Sequence, residues 1–148
     1  MRSSHTSVVV GKAALAGWIS GIVGSMALAL LDAGRLAPVH ELAAGLLFYT
    51  LAVAIILAPT FLLVVAPLVH FLPADSRLWH PIAASVVGGR IALPIMYLWY
   101  SLIEGTFRLP SLTEPGTRAF AGLAAGVGAI AGLVCAWTHQ RHLTRRCS

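Results

Sequence analysis

Four long apolar stretches limit what this chain can fold into more than any other feature of its sequence. They cover residues 13–31, 42–72, 81–103 and 119–138. Each is close to or above the about 20 residues that a helix needs to cross the hydrocarbon core of a bilayer. The loops between them are short, so successive helices should be antiparallel neighbours. The sequence therefore predicts an all-α, integral membrane four-helix bundle that forms a single membrane domain over residues 1–148.

Composition supports a lipid environment and excludes several classes of protein. Hydrophobic residues make up 58% of the 148 positions and charged residues 10%, whereas about 25% of residues are charged in ordinary soluble domains. So few charges cannot cover the surface that a soluble domain of this length exposes to water. This excludes a soluble enzyme, a disordered regulator and a secreted disulfide scaffold.

The basic balance of the chain raises the question of nucleic-acid binding. The sequence pI is about 10.0, but no basic run is longer than two residues and none is interleaved with aromatic residues. We therefore expect no nucleic-acid partner, because such sites combine clustered cations with stacking rings.

The two cysteines, Cys135 and Cys147, do not have the spacing of a zinc-binding motif. We accordingly expect no metal site and no cofactor.

The second apolar stretch is too long for one upright span. As a helix, residues 42–72 would extend about 46 Å, and a split at Pro59 would leave a second piece too short to cross a membrane. We predict one long, tilted helix that is kinked at Pro59 and leaves the hydrocarbon over residues 67–72. A re-entrant segment is the alternative. For the first stretch the alternative is a cleaved signal peptide, but its length favours a retained helix.

The positions of lysine and arginine predict the orientation of the chain. With four spans, the N-terminal segment, the second loop and the C-terminal tail share one side of the membrane. Basic residues concentrate on the cytoplasmic side, so we expect both termini in the cytoplasm, with the protein in a bacterial plasma (inner) membrane. The predicted cytoplasmic side carries Arg2, Lys12, Arg77, Arg141, Arg145 and Arg146, and the opposite side carries Arg35, Arg108 and Arg118.

The C-terminal tail is predicted to lie at the membrane surface. Arg141, Arg145 and Arg146 follow the last apolar stretch, and each such residue near an anionic leaflet contributes about 1 kcal/mol of attraction. We therefore expect them to contact anionic lipid headgroups. His139 and His142 lie three residues apart, which is a weak pattern for metal binding, and we interpret them as part of a solvated tail.

Three acidic residues lie just beyond the outer ends of three different helices. They are Asp32, Glu41 and Glu104. If the helices bring them together, they form a ring of negative charge that would attract cations to an outer mouth. The alternative is that these polar residues simply end their helices at the membrane interface.

Small residues recur at four-residue spacing in the first and fourth stretches. Between helices in lipid, rows of this kind allow the backbones to approach closely. They predict contact faces, either within the bundle or against a second copy or a partner membrane protein. The residues are Gly17, Gly21 and Ser25 in the first stretch and Gly122, Gly126, Gly128 and Gly132 in the fourth.

Arg90 is a charged residue near the middle of a predicted span. There it costs about 2.5–3.5 kcal/mol on insertion scales, so it needs a partner or a wet cavity. Pro94 cannot donate to the carbonyl of Arg90, and Pro59 likewise leaves the carbonyl of Ile55 without its helical donor. We expect the guanidinium of Arg90 to reach this broken turn, together with Thr60, Ser20 or water. The alternatives are a binding site for an anion and a side chain that snorkels toward the interface.

Three functions are compatible with these features. The first is a non-enzymatic accessory, assembly or envelope factor that contacts lipids or partner membrane proteins. The second is an oligomeric transporter or permeation protein with its site at Arg90, and the third is a membrane-embedded enzyme that acts on a lipid-like substrate. The sequence has no motif of the GxSxG or HExxH type, and this favours the first function over the third.

Overall fold

The computed structural model describes residues 2–34, 38–73, 76–104 and 115–147, apart from the side chains of residues 2–5, 32–33, 39, 103–104 and 142–147. This part of the chain is helical, without strands, which confirms the predicted all-α class. The first helix covers Arg2–Ala33, the third Pro81–Glu104 and the fourth Pro115–Cys147. The second helix runs from Val39 to Phe71 in three consecutive stretches.

All four helices are long and apolar enough to cross a membrane. The qualifying segments are Thr6–Leu31, His40–Phe71, Pro81–Leu102 and Pro115–Arg141. Between 0 and 11% of each apolar window is buried inside the protein, so most of the apolar side chains face outward. In water such a surface would drive aggregation, whereas in a bilayer it faces a solvent of matching polarity.

The second helix departs from α-helical geometry after Pro59. It is α-helical over Val39–Thr60, π-helical over Phe61–Val65 and α-helical again over Ala66–Phe71. Pro59 and Pro67 flank the π-helical stretch, and each lacks the N–H that an α-helix requires. The Ala66 N–H bonds the carbonyl of Phe61, five residues back. The helix is continuous through Pro59, and the predicted kink there is not confirmed.

The ends of the helices have identifiable local causes. Gly34, with φ of +63°, follows the first helix, and its N–H bonds the carbonyl of Leu30 at 3.2 Å. This left-handed conformation suits glycine and ends the helix. Between the second and third helices, a short turn at Arg77–Trp79 begins at Ser76, whose hydroxyl accepts from the N–H of Leu78 at 3.3 Å. Pro81 then opens the third helix, where its missing N–H costs nothing.

The helices pack as a row of neighbours in the order third, fourth, first, second. Over the described residues, the second and third helices share no extensive contact, although they are consecutive in the chain. Along the helix axes, buried side chains concentrate at the end of the bundle where the turn at Arg77–Trp79 lies. They form a cluster of Val9, Ala13, Phe61, Val69, Trp79, Ala131 and Cys135.

Candidate functional site

A groove opens sideways between the second and third helices. The fourth helix forms its floor, and Gly21 and Ser25 of the first helix complete the lining. The cavity volume is about 330 Å³, at the lower end of the about 300–1,000 Å³ of typical ligand pockets. The lining is almost entirely apolar, so the groove suits a hydrocarbon-like occupant.

The groove is elongated along the helices. On the third helix its lining residues extend from Ala84 to Tyr100, and along the second helix they extend from Val53 to Leu72, the residue after the helix ends. At the rise of an α-helix these distances are about 24 and 28 Å. A volume of about 330 Å³ distributed over that length makes a narrow slot rather than a compact chamber.

Close contact between the third and fourth helices forms one wall of the groove. A Cβ on Gly88 would overlap the carbonyl oxygen of Gly128, and a Cβ on Gly128 would overlap that of Gly88. One turn away, a Cβ on Gly132 would overlap the carbonyl oxygen of Ala84. The two backbones touch because neither carries side-chain atoms at these positions, and this is the contact that small-residue rows permit.

The first helix holds the second helix in place on the opposite side. The indole N–H of Trp18 donates to the carbonyl oxygen of Thr50 at 3.2 Å. Gly17 lies against the ring of Phe61, whose Cε2 is 3.5 Å from the position of an added Cβ, and Gly21 lies against Val53. The groove therefore exists because the second helix packs on the first helix and leaves its other side open.

Aromatic residues close one end of the groove. Trp79 lies between the second and third helices, and its indole N–H donates to the carbonyl of Pro73 at 2.8 Å. Its ring stacks on the imidazole of His139, with centroids 3.8 Å apart and an interplanar angle of 10°. Gln140 donates from Nε2 to the carbonyl of Trp79 at 3.0 Å. The connecting turn is thus fixed to the fourth helix. At the other end, Trp99, Tyr100 and Phe120 line the groove.

The structure does not bring together the residues predicted to surround Arg90. Arg90, Pro94 and Ile55 are all exposed on the outer surface and lie outside the groove. Among the described residues, no hydrogen bond or ion pair joins Arg90 to another group. Thr60 does line the groove, but its hydroxyl donates to the carbonyl of Ile56 within its own helix at 2.8 Å. The expected contact between Arg90 and the turn at Ile55 is absent from the described part of the structure.

The two predicted glycine rows of the fourth helix have different surroundings. Gly128 and Gly132 pack against the third helix, whereas added Cβ atoms on Gly122 and Gly126 would meet nothing within 4 Å. The first-helix row packs within the protein, with Gly17 and Gly21 against the second helix. Spacing alone therefore did not distinguish the packed row from the open one.

The predicted charged sites are only partly described. Glu41 is exposed in the first turn of the second helix, where a carboxylate complements the helix dipole. The side chains of Asp32 and Glu104 lie outside the described residues, as do those of Arg145 and Arg146. Arg141 lies over the ring of Trp137, with Cζ 3.6 Å from the centroid.

Sequence reasoning missed the contacts between Trp79 and His139. The expectation of a solvated tail is wrong for His139, which is 6% exposed, because the fourth helix continues past it and the connecting turn covers it. The turn and the tail are 60 residues apart in the chain, so only tertiary packing brings them together.

Comparisons with protein-family models, with curated protein sequences and with solved structures give no match to this chain.

Proposed function

We propose that this chain is an integral membrane protein that holds the acyl chain of a membrane lipid in the groove between its second and third helices, as a non-enzymatic accessory or envelope factor. The observation that carries this proposal is the shape of the groove, an apolar slot parallel to the spans that opens on the outer surface of the protein. In a bilayer that opening faces lipid.

The dimensions of the groove fit this occupant. One leaflet contributes half of a hydrocarbon core about 30 Å thick, or about 15 Å. The lining from Ala84 to Tyr100 covers about 24 Å of the third helix, so an extended tail fits lengthwise. The polar lining is sparse, and the hydroxyl of Thr60 is engaged with Ile56 at 2.8 Å. The walls consequently offer dispersion contacts to methylene groups and little that would bind a polar solute.

Photocrosslinking tests this proposal. The full chain is reconstituted in phosphatidylcholine vesicles that contain a phospholipid with a diazirine in one acyl chain, and the labelled peptides are mapped by mass spectrometry. Lipid that merely surrounds the protein labels the outer faces of all four helices. A lipid bound in the groove also labels inward-facing residues such as Ile91 and Val127, which line it.

Two neighbouring valines provide a matched pair of variants. Val87 lines the groove, whereas Val86 is 53% exposed and points away from it. We expect Val87→Phe to fill the slot and reduce labelling of Ile91 and Val127 severalfold, while Val86→Phe leaves it unchanged. Labelling that is confined to outward residues in the unmodified chain, or that responds equally to both variants, contradicts the proposal.

We also propose that the protein lies in a bacterial plasma (inner) membrane with both termini in the cytoplasm. The support is the distribution of basic residues, six on one predicted side and three on the other. Alkaline phosphatase fused after Gly34 should be active, because the enzyme folds only outside the cytoplasm, and the same enzyme fused after Ser148 should be inactive. The reverse result would overturn this orientation without affecting the groove.

A further inference from the structure

We infer that the outer face of the third helix around Arg90 is an interaction surface for a transmembrane helix of another protein, one that carries an aspartate or glutamate near the middle of its span. This inference is independent of lipid binding in the groove, because Arg90 does not line the groove. It rests on the depth of Arg90, on its surroundings and on the positions of all the acidic residues in the chain.

Arg90 lies deep within its span. The third span covers Pro81–Leu102, which places Arg90 about 14 Å along the helix axis from one end and about 18 Å from the other. Arginines near helix ends can extend to the headgroups, but a central arginine needs a partner or water. For that reason, charged residues inside membranes almost always face a protein interior or a water-filled cavity.

The described residues supply no such interior at this position. Arg90 is exposed, and it shares its outward face with Val86, which is 53% exposed, and Leu93, which is 39% exposed. The described residues include no hydrogen-bond or ion-pair partner for its guanidinium. The fourth helix packs on a different face of the third helix, through Gly88 and Ala84. An anionic partner must therefore come from outside this chain.

A second copy of the chain does not fit this requirement. The five acidic residues are Asp32, Glu41, Asp75, Glu104 and Glu114, and each lies between the spans or at the end of one. A two-fold dimer through this face would place Arg90 against its own copy, and like charges in lipid repel strongly. A heterologous helix with a central carboxylate satisfies the guanidinium through a charge-assisted hydrogen bond.

Synthetic helices provide the test without knowledge of the natural partner. The full chain, labelled with a fluorescence acceptor, is reconstituted in phosphatidylcholine vesicles with donor-labelled peptides of about 20 Leu and Ala residues. One peptide carries a central Glu and the other a central Gln. We expect the Glu peptide to bind on the order of tenfold more tightly than the Gln peptide, because its carboxylate can pair with Arg90.

Substitutions of Arg90 should change the preference of the chain for the Glu peptide over the Gln peptide. Arg90→Leu should abolish it, Arg90→Lys should retain most of it, and Arg90→Glu should transfer it to a peptide with a central Lys. Arg77→Leu, which removes an exposed arginine of the connecting turn, is the control and should change nothing. Arg90→Leu removes a charge from lipid, so we expect this variant to fold. If it does not fold, Arg90→Lys and the combination of Arg90→Glu with the Lys peptide still test the inference.

Two results would overturn the inference. One is equal binding of the Glu and Gln peptides to the unmodified chain, which would mean that lipid phosphate or local water satisfies Arg90. The other is a preference for the Glu peptide that persists in Arg90→Leu, which would place the contact elsewhere on the surface.

Discussion

Gly88 of the third helix and Gly128 of the fourth lie against each other so closely that a Cβ on either would overlap the carbonyl oxygen of the other. The atoms that limit this approach are backbone atoms, which cannot move aside as the end of a flexible side chain can. Because helices in lipid gain little from hydrophobic burial, such backbone contact is a main source of their association. These two glycines therefore determine how closely the third and fourth helices approach each other where they form one wall of the groove.

We expect Gly128→Val to lower the free energy of unfolding by at least about 1–3 kcal/mol, the usual cost of overpacking. The added side chain must push the third and fourth helices apart. The free energy of unfolding in lipid bicelles is the measurement. Gly126→Val is the matched control, because Gly126 lies in the same helix with nothing within 4 Å of an added Cβ. Equal losses in the two variants would show that helix propensity, not contact, governs both positions.

The indole N–H of Trp79 should contribute measurably to stability. Trp79→Phe keeps a ring that can stack on His139 but removes the donor to the carbonyl of Pro73, a bond of 2.8 Å. We expect a loss of about 0.5–1.5 kcal/mol, measured by thermal unfolding in the same bicelles. Trp137→Phe is the control, since Trp137 is 51% exposed. If the two variants unfold at the same temperature, the bond to Pro73 adds nothing to stability.

We expect Phe61 to contribute more to the free energy of unfolding than its neighbour Leu62. Phe61 is 6% exposed and packs on Gly17, whereas Leu62 is 70% exposed. Phe61→Ala leaves a cavity, but lipid solvates apolar groups as well as the protein does. The decrease in the free energy of unfolding should therefore be smaller than the about 3–5 kcal/mol that Phe→Ala costs in the core of a soluble protein, because only the packing contacts of the ring are lost. Leu62→Ala should be close to neutral in the same unfolding assay, and an equal loss at both positions would contradict this placement of the second helix.

The helices were predictable from sequence because length and apolar composition decide membrane spanning locally. The second helix shows the limit of this reasoning. Its prolines predicted a kink at Pro59, but the structure has a continuous helix with a π-helical stretch over Phe61–Val65. How a helix accommodates a missing N–H depends on the neighbouring hydrogen bonds, here including the bond from Ala66 to Phe61, and no residue type specifies that choice.

The groove could not be predicted from the sequence, because it exists only where the second and third helices fail to pack closely on each other. Short loops suggested that consecutive helices are neighbours, which holds for the first and second helices and for the third and fourth. The second and third helices are separated even though a short turn joins them. The arrangement depends on which glycines face which helix. Gly122 and Gly126 have the same four-residue spacing as Gly128 and Gly132, so the spacing did not show which pair faces the third helix.

The hydrogen bond from Trp18 to Thr50 links stability to access to the groove. It joins the first and second helices at 3.2 Å, and over the described residues the second helix packs mainly on the first helix. Trp18→Phe removes the donor and keeps most of the ring. We expect a loss of about 0.6 kcal/mol, the average for interhelical hydrogen bonds in membranes.

Because the second helix forms one wall of the groove, weakening this attachment should also widen the opening. We expect Trp18→Phe to increase acyl-chain photolabelling of Val127 on the groove floor relative to the unmodified chain. Trp99→Phe is the control, since Trp99 lines the groove but makes no hydrogen bond among the described residues. Lower stability with unchanged labelling would mean that other contacts hold the second helix, such as the packing of Val53 on Gly21. In that case the width of the groove would be fixed by side-chain packing between the first two helices.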